Sequence, residues 1–443
     1  MKKAPFILIL FFVVFICMSF FVRGTLLSEN EKCVSCHKAE TPGLYNQWTA
    51  STHRKNDVSC IDCHGAEESD VDAFKHYDVL VATLVTPEDC SICHEKESEE
   101  ISNSYHATAG EILDSQDAYL AHVAGGHPAA ITGCESCHGA KVKIDPNAPN
   151  KLAAETWPNS GIGRLNPDGS KGSCSACHTR HSFSRVQARQ PEACSKCHLG
   201  PDHPQKEVYE ASKHGNAYYT NIDKMNLDSF YWIVGNDYYV APTCATCHMS
   251  ATNKQDVTHD VGQRISWTLR PIISVKKENW EKKRENMLDV CGACHGNSFA
   301  KGHYYQFDGL VNLYNEKFAR PANEIITMIR NKKLLKNPAS FSNKIEWTFW
   351  ELWHHEGRRA RHGASMMGPD YTWWHGIYEV ARNFYFKFIP EALEYDDPEV
   401  NAYIKKLLET DPLHNWLNKQ TEDLKKAIRS GEMQGIYKKF LKR

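Results

Sequence analysis

Sixteen of the seventeen cysteines lie in one repeated pattern, Cys-x-x-Cys-His. Two thiols three positions apart can form thioethers with both vinyl groups of one porphyrin, and the histidine that follows then lies under the iron as an axial ligand. The eight motifs are Cys33-Cys36-His37, Cys60-Cys63-His64, Cys90-Cys93-His94, Cys134-Cys137-His138, Cys174-Cys177-His178, Cys194-Cys197-His198, Cys244-Cys247-His248 and Cys291-Cys294-His295. The pattern therefore predicts eight covalently attached c-type haems.

A lone Cys-x-x-Cys pair is also typical of zinc or redox sites. Structural zinc sites, however, combine two such pairs into four ligands, and disulfides do not require a histidine after every second cysteine. Only Cys17 falls outside the pattern, and it lies in an apolar leader. The regularity of the motifs thus argues against both alternatives.

Fifteen histidines remain after the eight that follow the cysteine pairs. A low-potential electron-transfer haem needs a second strong-field ligand on its other face. His181 lies in the pattern Cys-x-x-Cys-His-x-x-His, close to its own haem group. The distal ligands that we predict are His53, His76, His106, His127, His181, His214 and His375. The sequence does not assign them to particular haems.

The elements that hold these motifs change in character along the chain. Up to about residue 296 the motifs are separated by segments rich in Gly, Pro, Asn and Ser, which favour short helices and loops around haem. After about residue 304, apolar residues recur at helical spacing in 311–334, 344–362, 376–393 and 398–441, with Pro321, Pro338, Pro390 and Pro412 as breaks. We therefore predict a mainly α chain, with an octahaem-binding region at 25–303 and a C-terminal bundle of long helices at 304–443, which is also a plausible oligomerisation surface.

The N-terminus resembles an export signal, because Lys2 and Lys3 precede an unbroken apolar run over residues 4–22. The rest of the chain is then periplasmic. The run is long and residues 22–24 offer no small-x-small cleavage site, which favours a retained membrane anchor at 1–24 over a removed signal. The formal net charge of −2 gives no indication of a nucleic-acid partner.

The segment from Cys134 to Gly215 closely resembles the octahaem hydroxylamine oxidoreductase family, which also matches the count of eight motifs. The runs that carry the resemblance are Thr156-Trp157-Pro158-Asn159, Gly161-Ile162-Gly163-Arg164, Asn166-Pro167-Asp168-Gly169-Ser170, Leu199-Gly200-Pro201-Asp202-His203-Pro204-Gln205 and Ser212-Lys213-His214-Gly215. In that family the fourth haem is catalytic and the other seven are bis-histidine, which points to the haem on Cys134, Cys137 and His138. The related pentahaem nitrite reductases agree on the position, but their proximal ligand is lysine.

The resemblance also implies an adjacent Asp-His pair and a tyrosine above the catalytic iron. Asp202-His203 is the only Asp-His dipeptide in the sequence, and an imidazole oriented by a carboxylate is a competent proton relay. The alternative for His203 is a distal haem ligand in a turn. Tyr239 is the predicted tyrosine, with Tyr238 as its competitor.

The family implies hydroxylamine or nitrite as the substrate, a redox partner that is a cytochrome or a membrane quinol dehydrogenase, and a homo-oligomer, a trimer by resemblance. In its oxidising members a C-terminal tyrosine of a neighbouring subunit is joined covalently to the catalytic porphyrin. Tyr371 is the candidate here, and packing is the alternative. Three hypotheses stay open: oxidation of hydroxylamine, reduction of nitrite or hydroxylamine to ammonium, and a pure electron conduit without a substrate.

Overall fold

The computed structural model describes residues 30–111 and 119–441. Its elements are mainly helices, which confirms the predicted fold class. The chain divides into two compact units, Met1–Ala188 and Arg189–Arg443. The predicted anchor at 1–24 lies outside the described residues, and within them no helix has the length and apolar character needed to cross a membrane.

Short helices in the first unit begin at side-chain caps that place the haem motifs. Ser59 caps Cys60–His64 and Asp62 accepts from its backbone N–H at 2.7 Å, while Thr86 and Asp89 repeat this arrangement ahead of Cys90. The α-helices are Pro42–Ala50, Thr52–Lys55, Cys60–His64, Pro87–Ser91, Glu95–Ser102, His127–Ala129, Glu135–His138 and, at the boundary between the units, Arg185–Arg189; shorter turns are Ala121–Gly125, Ala130–Cys134 and Cys174–Ala176.

A two-stranded hairpin also belongs to the first unit. Phe74–His76 pairs antiparallel with Val79–Val81, so that His76 lies opposite Val79. Tyr77 adopts a positive φ of 52° in the turn between the strands. The hairpin thereby fixes the position of His76.

In the second unit, short helices around the remaining haem motifs are followed by long ones. The predicted boundary at 303/304 falls inside the helix Asn297–Tyr314. The α-helices are Pro191–Ser195, Gln205–Ala211, Lys213–Thr220, Cys244–His248, Trp280–Gly292, Asn297–Tyr314, Arg320–Asn331, Lys344–Trp350, Gly357–Ser365, Pro369–Thr372, Glu379–Asn383, Ile389–Leu393, Pro398–Thr410, Thr421–Ser430 and Glu432–Tyr437; 3-10 turns are Ile222–Lys224, Asn415–Asn418 and Lys438–Leu441.

Four pairs of consecutive helices in this unit are joined by π-helical turns rather than by loops. Pro321 and Pro390 each follow such a turn, Asn315–Ala319 and Phe384–Phe388. A proline removes one helical hydrogen bond, and the wider π turn accommodates the loss without a break. The others are Glu351–Glu356 and Trp373–Tyr378. The stretch of helical spacing at 398–441, with Pro412 as a predicted break, divides after Thr410 and again at Gly431.

The helix Gly357–Ser365 is held firmly against its neighbours. A Cβ at Gly357 would lie within 2.6 Å of the Tyr314 ring, and one at Gly363 would lie 2.5 Å from the backbone nitrogen of Thr372. Arg361 is fully buried, stacks over Tyr314 at 4.3 Å and donates to the Ser274 hydroxyl. Close backbone approach and a buried guanidinium therefore fix this helix, which carries part of the candidate site.

Candidate functional site

Four of the predicted distal histidines face a histidine of a haem motif. The ring centroids are 6.2 Å apart for His37–His76, 6.1 Å for His53–His94, 6.2 Å for His64–His181 and 6.0 Å for His214–His295. Two imidazoles bound to one metal from opposite faces, with bonds of about 2 Å, place their ring centres roughly 6 Å apart. The pairs therefore fit bis-histidine haems, and His181 pairs with the second motif rather than with its own.

The outer ring nitrogens of several motif histidines are also held as an iron ligand requires. Nδ1 of His64 lies 2.9 Å from the carbonyl oxygen of Ala82, and Nδ1 of His138 lies 3.2 Å from that of Ala109. Such a bond fixes the tautomer in which Nε2 is free to bind metal. The donor set therefore fits haem iron at both motifs.

A serine helix cap precedes two of the predicted distal histidines, His53 and His214. Ser51 accepts from the backbone N–H of Arg54 and Ser212 from that of Gly215, so that each serine caps a helix whose second residue is the histidine, His53 or His214. Ser104 and His106 share the spacing, and the Ser104 hydroxyl accepts from the N–H of His106. The pattern Ser-x-His would have indicated these ligands in the sequence.

The remaining predicted ligands lie in other surroundings. The exposed ring of His127 stacks 6.0 Å from His122, which is not in a haem motif. His375 has Nε2 3.6 Å from Asp370 and Nδ1 3.5 Å from Glu379, so both nitrogens face acids and this geometry gives no support for an iron ligand. Within the described residues, neither His138 nor His248 has a second histidine ring against it.

Sulfur atoms of different haem motifs meet within each unit. In the first unit the side chain of Cys90 lies next to that of Cys174, which places the third and fifth motifs side by side. In the second unit the side chain of Cys194 lies next to that of Cys244, which places the sixth and seventh motifs side by side. Electron transfer between haems requires such neighbouring attachment sites.

Asp202 and His203 form a partly buried acid-base pair in the second unit. Oδ1 of Asp202 lies 3.6 Å from Nε2 of His203, in the assigned ring orientation, and both side chains are about one-fifth exposed. Burial lowers the pKa of His203, the charge of Asp202 raises it, and Arg270 and Arg358 lower it. Nδ1 of His203 is buried and has no hydrogen-bond partner among the described residues. The free nitrogen is thus the one turned away from the carboxylate.

His203 also lies close to a motif histidine, with its ring centroid 6.1 Å from that of His198. These two residues are five positions apart, so the short chain between them already brings the rings together. An iron ligand that used Nε2 of His203 would have to give up the contact with Asp202. The ring separation equals that of the four pairs that fit bis-histidine haems, so this geometry is compatible with both the proton relay and the distal ligand, and both remain predictions.

Family models match two parts of the chain. One, described as seven times multi-haem cytochrome CxxCH, covers residues 167–339, and one for cytochrome c554 and c-prime covers residues 21–65. A probable nitrite reductase-hydroxylamine oxidoreductase fusion protein of Kuenenia stuttgartiensis is 25% identical over 80% of this chain. The chain is therefore similar to hydroxylamine oxidoreductase-like (HAO-like) multihaem c-type cytochromes. It spans about half the length of that curated relative, 50%.

Two solved structures of multihaem proteins have folds similar to that of this chain. A hypothetical multiheme protein superposes with a TM-score of 0.73 and 25% identity, over 80% of this chain and 94% of its own. A reducing HAO-like protein complex of Kuenenia stuttgartiensis shares the fold, with a TM-score of 0.62, 22% identity and coverage of 86% and 87%. These similarities confirm the predicted resemblance.

Two residues beside His203 in this multihaem cytochrome were not predicted from the sequence. Arg358 donates from Nη1 to Oδ2 of Asp202 at 3.2 Å. His362 lies on the same helix, with Nδ1 3.5 Å from Nε2 of Gln205, and burial holds its pKa well below the usual value. His362 is therefore neutral near pH 7. Neither contact has a local signal, because the partners lie more than 150 positions apart in the chain.

The structure separates the two candidate tyrosines before the seventh motif. Tyr238 is 1% exposed and stacks on Trp232 at 5.2 Å, whereas Tyr239 is 73% exposed. A packed ring cannot reach a substrate, so this difference favours Tyr239. Tyr371 is partly buried in the turn Pro369–Thr372, 5.5 Å from the ring of His375, and burial raises its pKa. Its predicted cross-link stays a prediction.

Proposed function

We propose that this multihaem cytochrome is an oxidoreductase that exchanges electrons between a small nitrogen compound, hydroxylamine or nitrite, and a redox partner. The observation that carries the proposal is the partly buried Asp202–His203 pair, in which Nδ1 of His203 has no hydrogen-bond partner among the described residues. A pure electron conduit needs no such group. The name of the curated relative supports the same chemistry.

The proposed roles divide between haem attachment and proton transfer. Cys134, Cys137 and His138 would hold the catalytic haem, which when bound supplies electrons and an open coordination position. Asp202 orients the His203 ring through Nε2, which leaves Nδ1 to accept or donate a proton. Interconversion of nitrite and hydroxylamine moves protons together with electrons, so this relay is required in either direction.

Reduction of nitrite is favoured over oxidation of hydroxylamine by the charges around His203. Arg270 and Arg358 both act on His203 electrostatically, and Asp202 is the acid that opposes them there. A cationic surrounding attracts an anion such as nitrite more than neutral hydroxylamine. The structural neighbour described as a reducing HAO-like complex supports the same direction.

The first experiment counts the haems and measures turnover. Intact mass and pyridine haemochrome should give eight haems per chain, and the purified protein should turn over nitrite or hydroxylamine. Replacing His203 with Ala should lower kcat by about a hundredfold or more, as loss of a general acid-base does, with the haem count unchanged. If turnover survived while a low-spin haem became high-spin, His203 would be a ligand instead.

A second experiment separates the enzyme from the conduit, and oxidation from reduction. Carbon monoxide should bind the dithionite-reduced protein if one iron has an open position, and a protein that bound none would be a conduit. Clean separation of subunits on a denaturing gel, with ordinary c-type bands, would show that Tyr371 is not cross-linked and would favour ammonium as the product. We also propose an extracytoplasmic location with a membrane anchor, which cell fractionation tests.

A further inference from the structure

We infer that Arg358 is a positioning residue that fixes the Asp202 carboxylate and, through it, the orientation of the His203 ring. The inference rests on the proposed function, since it concerns the same acid-base pair. Arg358 reaches Asp202 across 156 positions of the chain, and its side chain is only 10% exposed. Charged side chains whose only role is to interact with solvent are rarely this buried, so the contact with Asp202 indicates a structural role for Arg358.

Three contacts fix the plane of the Arg358 guanidinium. Nε donates to the backbone oxygen of Arg270 at 2.8 Å, and Nη1 donates to Oδ2 of Asp202 at 3.2 Å. The guanidinium also lies over the Trp353 ring, 5.1 Å from its centroid. Because the guanidinium is planar, bonds to two different acceptors leave it little freedom to rotate.

The two carboxylate oxygens of Asp202 therefore contact different residues. Oδ2 accepts from Arg358, and Oδ1 faces Nε2 of His203. With Oδ2 held by Arg358, Oδ1 stays turned towards the imidazole, 3.6 Å from Nε2. Without Arg358, the carboxylate could turn towards solvent, because Asp202 is still 21% exposed. The histidine would then lose its fixed tautomer.

The helix that carries Arg358 is itself rigid. Gly357 packs directly on the Tyr314 ring, and Arg361 is bonded to the Pro271 carbonyl and the Ser274 hydroxyl. A catalytic constellation supported by such an element keeps its geometry better than one supported by a loop. Its neighbour Arg359 lies on the same helix but pairs with Glu379, at 2.7 Å, and not with Asp202.

The test compares Arg358→Gln, Arg358→Lys and the matched control Arg359→Gln in the holoprotein. We expect Arg358→Gln to lower kcat roughly tenfold, because the proton relay loses its support, and to raise KM for nitrite by a smaller factor, because one of the cations near the site is lost. Loss of the nearby positive charge should also move the pH midpoint of nitrite binding, followed optically in the oxidised protein, upward by about half a unit. Arg358→Lys should retain the midpoint and recover part of kcat, and Arg359→Gln should behave as wild type.

Several outcomes would overturn the inference. An unchanged kcat and midpoint in Arg358→Gln would show that Asp202 needs no such support. Equal losses in Arg358→Gln and Arg359→Gln would indicate general damage to the helix, and a changed spin state would indicate a ligand role for His203. A wild-type protein that bound neither nitrite nor hydroxylamine would sink the proposed function itself, whereas normal wild-type binding with an unmoved midpoint in Arg358→Gln contradicts this inference alone.

Discussion

The two units of the chain are built around different interiors. In the first, Leu84, Val142 and Leu152 form a cluster of three buried apolar side chains. In the second, one apolar core joins twenty-one buried residues between Tyr314 and Leu407. The first unit also buries polar groups, of which Arg164 is the largest, at 1% exposure.

Arg164 shows how the first unit is held without a large apolar core. Its guanidinium donates to Oδ1 of Asn166 at 2.6 Å, to the backbone oxygen of Asn159 at 3.3 Å and to that of Val85 at 2.8 Å. Burial lowers its pKa to about 10, so it still carries its charge at neutral pH. Because small apolar cores alone are marginally stable, the attached haems must supply much of the first unit's interior.

The largest expected effect follows from removing one haem. In the double variant Cys90→Ala, Cys93→Ala, the first unit should lose its slow-exchanging amides, because an apolar surface that the haem covers becomes exposed. The measurement is hydrogen exchange with mass spectrometry on the purified protein. The helix Lys344–Trp350 should keep its protection, since it lies in the apolar core of the second unit. Equal loss in both units would contradict the comparison.

A single aromatic truncation tests the core of the second unit. Phe384 is fully buried, and Phe386 in the same π-helical turn is 67% exposed. Phe384→Ala should lower the free energy of unfolding by about 3–5 kcal/mol through lost burial and a residual cavity. Phe386→Ala should change it by less than about 0.5 kcal/mol. Urea unfolding followed by far-ultraviolet circular dichroism measures both, and similar values for the two variants would refute the assigned core.

Truncation of Arg164 tests the polar interior of the first unit. Arg164→Met should cost about 3 kcal/mol of unfolding free energy, because buried acceptors lose their donor. The matched control is Lys171→Met, whose partner Glu111 at 2.6 Å is as exposed as the lysine itself, 45% each. An exposed ion pair contributes at most about 1 kcal/mol. The midpoints of urea unfolding, followed by the haem absorption, compare the two variants. An equal loss of unfolding free energy in both would mean that the hydrogen bonds of Arg164 do not stabilise the first unit.

Features encoded locally could be predicted from the sequence, and contacts across the chain could not. The helical spacing of apolar residues at 344–362 predicted a helical region there, and the structure has helix from Lys344 to Ser365. Such a prediction succeeds because the spacing of apolar residues shows which face of a helix is buried. The pairing of His64 with His181 depends on how 117 intervening residues fold. Arg358 was missed for the same reason. The stretch at 398–441 divides near Pro412, which was predicted as a break, and again at Gly431, which was not.

The smallest effect concerns a buried acid in the core of the second unit. Burial raises the pKa of Glu356 from 4.5 to about 7, although a hydrogen bond from Asn383 at 3.1 Å and the charge of Arg359 oppose the shift. The folded state therefore binds this proton more tightly than the unfolded state. The stability that the proton contributes is complete below about pH 4.5 and is lost as the pH rises through 7.

Between pH 5 and pH 8 the wild-type protein should accordingly lose about 2 kcal/mol of unfolding free energy through Glu356. Glu356→Gln keeps the shape and the contact to Asn383 but cannot ionise, so the loss should disappear in this variant. The matched control is Glu351→Gln, since Glu351 is 45% exposed and lies at the start of the same π-helical turn. The measurement is urea unfolding of the wild type and both variants at the two pH values. If Glu356→Gln showed the same pH dependence as the wild type, a group other than Glu356 would be responsible for it.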